Sequence, residues 1–368
     1  MTAARIVALL LPGSMHVLRG RTSGGVILLL SWLGLAGTAV LARARILAVP
    51  SDGSIDDWIA LLALVLGLAG TWLLGQRDPR HGPAETPGQA QWRIALRSFR
   101  QNRLAVAGVC IVALLYVVTL LTPFLAPYDP AFQGDIARTG FLAPSAQHWL
   151  GTDRLGRDIL SRILHGARIS LSIGFIATAI SVSLGTMLGA IAGYLGGRID
   201  AAVMRFTDMV LAFPRLILLI LVVALFEPSV LVIILVLGLT QWPGTTRIVR
   251  GEALSLRERE FIQAARALGF GRTRIILRHL IPNLLAPVIV TATLGIGNTI
   301  VLEAGLSFLG LGPPPPLPTW GGMVAAGGET LIEAWWVATF PGLTIVLVVL
   351  AFNLVGDGLR DALDPRLR

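Results

Sequence analysis

Long apolar stretches alternate along this chain with short polar segments that carry most of its arginines. A helix needs about 20 apolar residues to cross the hydrocarbon core of a bilayer. Eight stretches meet this requirement, and they are centred near Leu33, Leu66, Ala113, Ser181, Leu219, Ile234, Val290 and Val346. Glycine, serine and proline interrupt several of them, but small residues permit close helix packing, so the pattern still predicts spans. We therefore expect an all-α fold, a polytopic transmembrane helical bundle.

The first two predicted spans are set apart from the others. Residues 76–91 are rich in proline, glycine and polar residues, which is typical of a flexible linker. We expect a two-helix N-terminal extension over residues 1–75, a linker over 76–91 and a main domain over 92–368. Within the main domain, the first helix is expected at about 104–123 and the rest of the transmembrane core at about 165–357. The extension would serve anchoring, lipid contact or a regulatory partner.

Composition places the chain in a membrane, and its charge predicts an orientation. Hydrophobic residues make up 54% of the sequence and charged residues 14%, which is far from the composition of a soluble domain. The formal net charge of +9 is carried by arginine alone, because the sequence contains no lysine. Such a charge suits loops that face anionic lipid better than it suits nucleic-acid binding.

The arginines are distributed unevenly between the two sides of the predicted bundle. If both termini are cytoplasmic, the cytoplasmic segments are 1–23, 76–103, 196–209, 244–282 and 357–368. These segments contain 22 arginines, against 7 in the external segments 42–56, 124–168 and 303–334. This asymmetry predicts a multi-pass protein of the bacterial inner membrane with both termini in the cytoplasm.

A short polar helix is predicted between two spans, beginning at Phe261. Phe261, Ala265 and Leu268 have the spacing i, i+4 and i+7, so we expect them on one face, with Arg266 pointing elsewhere. Ala264 and Ala265 keep that face thin. Another protein's surface can therefore approach the helix backbone closely.

Two residues define the end of this helix and the start of the next span. Gly269 is expected to take the left-handed conformation that ends the helix, and Pro282 lies where the following span accepts a proline in its first turn. Thr273 is expected to cap the second short helix. The competing interpretation is an ordinary amphipathic loop whose arginines only follow the positive-inside rule.

A second polar segment, GTDRLGRDILSR, starts at Gly151 and precedes the span near Ser181. Asp158 is expected to cap a helix there. Ile159 and Ile163 fall on one face of that helix and Arg162 away from it. This pattern predicts a helix that lies in the membrane interface before the chain enters the bilayer.

Both segments resemble those of a known family. Ala264, Ala265, Gly269 and Pro282 follow the pattern of the EAA loop of ABC importer permeases, with Gln263 where that family usually has an acid. The string GTDRLGRDILSR is very similar to the one that marks the second permease subunit of dipeptide, oligopeptide and nickel importers. Further similar strings are RFTDMVLAFPRL at 205–216, EAGLSFLGLG at 303–312, TWGGM at 319–323 and NLVGDGLRDALDP at 353–365.

The resemblance implies a type I importer (MetI-like) fold with six core helices, preceded in this chain by two extra helices. It also implies a coupling loop over 244–282 that docks on an ATPase subunit through Phe261, Gln263, Ala264, Ala265, Leu268, Gly269 and Pro282. The implied partners are a homologous second permease, two ATP-binding subunits, an extracytoplasmic solute-binding protein and membrane lipid. The implied solute is a di- or oligopeptide, or a related small solute such as a nickel chelate.

The sequence offers no catalytic pattern. A P-loop requires a lysine, which this chain lacks, and its five histidines do not have the spacing of a zinc site. We therefore expect a transport subunit with no ATPase activity of its own, no metal and no cofactor. Asp208 and Glu303 lie near span ends and are weak candidates for the substrate path. Acids that pair with nearby groups for structural reasons are the competing interpretation.

Two other functions remain open on sequence grounds. An ion-gradient-driven secondary transporter would need carboxylates or broken helices near the midplane, whereas these spans are nearly free of acids. A structural membrane scaffold would not need a coupling loop. Co-purification of an ATPase would distinguish both from an ABC permease.

Overall fold

The computed structural model describes residues 22–52, 54–76 and 95–363, and most of these residues are helical. Within those ranges the structure has no strand, only an isolated bridge between Thr152 and Asp158. The longer helices are α1 (Thr22–Leu41), α2 (Arg43–Asp52), α3 (Ile55–Gln76), α4 (Arg103–Leu120), α5 (Ile159–Leu195), α6 (Gly197–Ala212), α7 (Arg215–Ala224), α8 (Val230–Arg257), α9 (Glu260–Ala267), α10 (Arg272–Phe308, with a π-helical turn at Ile276–Leu280), α11 (Trp320–Gly328) and α12 (Trp336–Leu363). Single-turn helices lie at Thr122–Leu125 and Ile136–Thr139.

The chain divides into two compact units. One contains Met1–Ala90 and Tyr116–Asp129, and the other contains Gln91–Leu115 and Pro130–Arg368. The linker predicted over 76–91 lies outside the described residues except for Gln76. In the first unit, α1 packs against α3, and the apolar cluster between them also takes in Leu121 and Phe124.

The second unit is built around α5 and α8. Gly185, Gly189 and Gly193 recur every four residues on α5 and face α8. A Cβ atom at Gly189 would lie 2.7 Å from the carbonyl oxygen of Thr246, and one at Gly193 would lie 2.6 Å from the Cβ of Ala253. Only glycine therefore allows this approach, the small-residue packing that is typical of membrane helices. Helices α10 and α12 complete the bundle.

Five helices in the described ranges are long and apolar enough to cross a membrane, and two bent helix pairs raise the number to seven if each pair is one span. The sequence predicted eight. One difference is the predicted span near Leu219, where α7 has only ten residues and follows α6 at an angle of 83°. Pro214 is the reason, because it lacks an N–H and holds Phe213 in the extended conformation, which divides the run.

Two helices extend beyond their predicted ends. The interfacial helix expected after Asp158 and the span near Ser181 are one continuous helix of 37 residues, α5. Such a helix is about 55 Å long. At the other end of the sequence, α12 passes residue 357, the expected end of the core, and continues to Leu363. Gly356 lies within it, where a Cβ atom would meet the side chain of Leu294 at 2.5 Å.

Candidate coupling site

Helix α9 is a separate eight-residue helix between α8 and α10. It begins after Arg259, which has an extended backbone, and it ends in a paired hydrogen-bond motif. The amide of Gly269 donates to the carbonyl of Arg266 at 2.9 Å, and the amide of Phe270 donates to the carbonyl of Ala265 at 3.1 Å. Gly269 has φ +77°, which confirms the left-handed helix end predicted from the sequence.

The inward face of α9 is formed by Ile262 and Ala265, which are 0% and 4% exposed. They belong to a buried cluster in which α5, α8, α9 and α10 meet, with Tyr194, Val249 and Ile275 among its members. The cluster holds α9 against the end of the bundle. Ala265 is small because the chain's own core closes over it.

The outward face of α9 is apolar and open. Phe261 is 42% exposed, Leu268 is 72% exposed, and Ala264 is also exposed. The prediction that Ala265 shares a face with Phe261 and Leu268 is therefore wrong. The spacing places the three residues on one side of the helix, but Ala265 lies at the edge of that side. There Tyr194 and α8 cover it.

Arg266 points away from Phe261 and Leu268, as predicted, and it contacts the bundle. Its guanidinium carbon lies 4.9 Å from the centre of the Tyr194 ring, and its Nε donates to the Tyr194 hydroxyl at 3.3 Å. Tyr194 is the penultimate residue of α5. A cation over an aromatic face is attracted by the ring quadrupole, so this pair fastens α9 to the end of the 37-residue helix α5.

Gln263 occupies the position where an acid is usual in the resembled family. Its side chain is exposed, and its Nε2 donates to the carbonyl of Glu258 at 3.1 Å. This bond closes the turn between α8 and α9. The amide can donate to that carbonyl, which an ionised acid cannot.

The second half of the segment is a helix that runs without interruption into the span. Helix α10 begins at Arg272 with Gly271 as its N-cap, so the prediction that Thr273 caps it is wrong. A π-helical turn at Ile276–Leu280 precedes Pro282, which lies in the first turn of the α-helical part, as predicted. Because proline lacks an N–H and its ring crowds the carbonyl four residues back, the wider turn accommodates it.

The two substrate-path candidates lie in different environments. Asp208 is exposed on α6 and forms an ion pair with Arg247 of α8, with an Nη2–Oδ1 distance of 2.5 Å. Asp200, which the sequence analysis did not single out, joins the same two helices through two bonds to Arg250. These acids tie α6 to the part of α8 that leads into α9.

Glu303 is fully buried. Its Oε1 accepts from the Ser307 hydroxyl at 2.7 Å, and its Oε2 accepts from the Ser170 hydroxyl at 3.2 Å. Ser170 also accepts from the amide of Trp320 at 3.4 Å, so the carboxyl group joins α5, α10 and α11. A side chain without accessible surface does not touch a solute in this conformation. The arrangement is that of an interhelical bond.

Two family models match parts of the chain. Residues 185–368 match the family described as binding-protein-dependent transport system inner membrane component, and residues 90–144 match the N-terminal TM domain of oligopeptide transport permease C. The dipeptide transport system permease protein DppC of Alkalihalophilus pseudofirmus is 43% identical over 293 residues, covering 79% of this chain and 96% of its own. The glutathione transport system permease protein GsiD of Escherichia coli is 43% identical over 290 residues, or 78% and 95%.

A weaker match is to a solved structure. It is an inward-facing conformation of the MetNI methionine ABC transporter, with a TM-score of 0.47 and 18% identity, over 55% of this chain and 97% of that one.

The protein is a helical membrane permease, a transport subunit without catalytic activity of its own. More specifically, the chain belongs to the family of inner-membrane components of binding-protein-dependent transport systems. It is the permease of an ABC importer and works in a complex with ATPase and other permease subunits.

Proposed function

We propose that this chain forms half of the translocation path for di- or oligopeptides, or for a related small solute such as glutathione or a nickel chelate. The other half is a homologous second permease. Two ATP-binding subunits drive the cycle, and an extracytoplasmic binding protein delivers the solute. The similarity to permeases named for dipeptide and glutathione transport supports this class of solute.

The outward face of α9 carries this proposal. Phe261 and Leu268 are large apolar side chains on a helix that also presents Glu260, Gln263 and Arg266, so the helix is too polar to lie within hydrocarbon. Covering one such side chain contributes about 1.5–3 kcal/mol. Ala264 lies between the two and lets a partner approach the backbone. This is the surface on which we place the ATP-binding subunit.

The attachment of α9 suggests how ATPase movement reaches the path. Ile262, Ala265 and the pair Arg266–Tyr194 fasten α9 to α5 and α8. Because α5 is one unbroken helix, movement at Tyr194 is carried along its whole length. A movement of α9 therefore acts on the opposite end of the second unit, where α5 meets α11 and α12.

The substitution Ala264→Arg tests the docking surface. It adds bulk and charge to the outward face without entering the chain's core, so we expect loss of most ATPase co-purification and solute uptake at a normal membrane level. Ala267→Arg is the matched control, since it adds the same charge to an exposed alanine of the same helix, about 100° around the helix from Leu268, and should leave both nearly unchanged. Ala265→Arg is unsuitable because it would disrupt the cluster that holds α9. Normal uptake and ATPase retention in Ala264→Arg would overturn the proposal.

We also propose that both termini and the segment 244–282 face the cytoplasm, as the distribution of 22 against 7 arginines favours. The test uses Arg272→Cys in a Cys110→Ser background in sealed cells. We expect an impermeant thiol reagent to label position 272 only after permeabilisation. Labelling of intact cells would reverse the orientation.

A further inference from the structure

The turn that follows α4, the first helix of the main domain, has a backbone carbonyl that its own helix cannot satisfy. Helix α4 ends at Leu120, and the single turn Thr122–Leu125 continues it, with the amide of Ala126 donating to the carbonyl of Thr122 at 2.9 Å. The next such bond would run from residue 127 to the carbonyl of Pro123. Residue 127 is proline and has no N–H. The Pro123 carbonyl therefore needs a donor from elsewhere.

Arg45 of the N-terminal extension supplies that donor. Its Nη1 donates to the carbonyl of Pro123 at 3.1 Å and to that of Ala126, and its Nη2 donates to the carbonyl of Pro127 at 2.8 Å. Three carbonyls at a helix end thus share one guanidinium. A cation is favoured there because the C-terminal end of a helix carries partial negative charge.

The apolar surface beside this site is covered by the same extension. Leu121 and Phe124 are 2% and 6% exposed, and they lie in one cluster with side chains of α1, α2, α3 and the bend between α1 and α2. Those side chains are Leu35, Ala42, Val49, Ala60 and Leu64. A bend of 74° between α1 and α2 follows Leu41 and places Arg45 in the first turn of α2.

We propose that the N-terminal extension is a brace for the end of the first permease helix, with Arg45 as its capping residue and the cluster around Leu121 and Phe124 as its apolar contact. The matches to known families begin at residue 90, so this role lies outside what they cover. The proposal differs from anchoring or recruitment of a regulatory partner, because the extension acts on this same chain. It does not depend on the solute or on the coupling site.

The brace is tested by hydrogen–deuterium exchange on the full-length chain in its complex, reconstituted in lipid nanodiscs. The readout is exchange of the amides over 121–128, which include those of Leu125 and Ala126. We expect Arg45→Ala to raise their exchange rate roughly tenfold, because the end of the helix opens more often without its donor. Arg43→Ala is the matched control, since it removes the same charge from an exposed position on the same helix and should leave exchange unchanged.

A rescue variant isolates the carbonyl chemistry. Pro127→Ala restores an amide at residue 127 that can donate to the carbonyl of Pro123, so the double variant Arg45→Ala, Pro127→Ala should recover much of the protection. Three outcomes would overturn the proposal: wild-type exchange in Arg45→Ala, an equal increase in Arg43→Ala, or no recovery in the double variant.

Discussion

Different interactions stabilise the two ends of the second unit, which contains Gln91–Leu115 and Pro130–Arg368. At the end opposite α9, buried polar groups bind the loop before α5 to the starts of α5, α11 and α12. At the α9 end, an apolar cluster and the pair Arg266–Tyr194 hold one short helix, and an apolar face remains open. The difference supports our proposal that another protein completes the second end, whereas the first end is a fixed structure of this chain.

The polar end is dense in hydrogen bonds to buried groups. Asp153 accepts from Arg157 at 2.7 Å and lies 3.7 Å from Arg162, which also donates to the carbonyl of Pro130. Arg162 is 8% exposed, so the prediction that it points away from the buried face is wrong. Two indole N–H groups close the end, from Trp320 to the carbonyl of Ile163 at 3.0 Å and from Trp336 to that of Thr152 at 3.1 Å.

The largest loss of stability is expected at Gly327, where the backbones of α11 and α12 approach each other at the polar end. A Cβ atom at Gly327 would lie 2.4 Å from the backbone nitrogen of Ala338, so Gly327→Ala should destabilise the protein by about 3 kcal/mol or more. Gly328→Ala is the matched control on the same helix, because its nearest neighbour is a side-chain atom of Phe308 at 3.8 Å. Thermal unfolding of the purified complex measures both. Equal stability of the two variants would contradict the description of this end as a fixed structure.

Substitution of Asp158 should give the next largest loss of stability. Its Oδ2 accepts from the amide and the hydroxyl of Ser161, both at 2.8 Å, and its Oδ1 lies 3.0 Å from Nδ1 of His148. Asp158→Ala removes the N-cap of α5 and a buried acceptor, so we expect a loss of about 2–3 kcal/mol. Asp158→Asn keeps an acceptor for Ser161 and should lose less. The midpoint of thermal unfolding distinguishes them, and a neutral Asp158→Ala would contradict the fixed-end description.

These two ends also differ in how much of them the sequence predicts. The Asp158 cap, the Gly269 turn and the position of Pro282 were predicted, because each depends on residues within one or two helical turns. The burial of Ala265 and the contact of Arg266 were not, because both depend on Tyr194, which lies about 70 positions earlier in the chain. No local signal marks that tyrosine. Arg162 was missed for the same reason, since its partner carbonyl belongs to Pro130.

At the α9 end, substitution of the glycine that ends the helix should cause a moderate loss of stability. Gly269 has φ +77° and open space around it, so Gly269→Ala should cost only the strain of that conformation, about 1 kcal/mol. Gly271→Ala is the control, because Gly271 also has open space but φ −62°. Limited proteolysis between α9 and α10 reports the difference. Equal cleavage of the two variants would show that the left-handed turn does not determine the helix end.

The smallest expected effect on stability concerns the link between α9 and α5. Tyr194→Phe keeps the ring under Arg266 and removes only the hydroxyl that accepts from Nε, so the loss should be below about 1 kcal/mol. Its effect should instead appear as more ATP hydrolysed for each solute molecule imported, since α5 follows α9 less closely. If the amount of ATP hydrolysed for each imported solute molecule is unchanged in both Tyr194→Phe and Arg266→Ala, this pair does not transmit movement from α9 to α5.

The central claim is that the open face of α9 is covered by an ATP-binding subunit. The most direct measurement is photo-crosslinking from a photoreactive amino acid at position 268, with position 267, about 100° away around the same helix, as the control. We predict an adduct between position 268 and the ATP-binding subunit, and little or none from position 267. Adducts from position 268 to lipid alone, or equal adducts from both positions, would contradict the account.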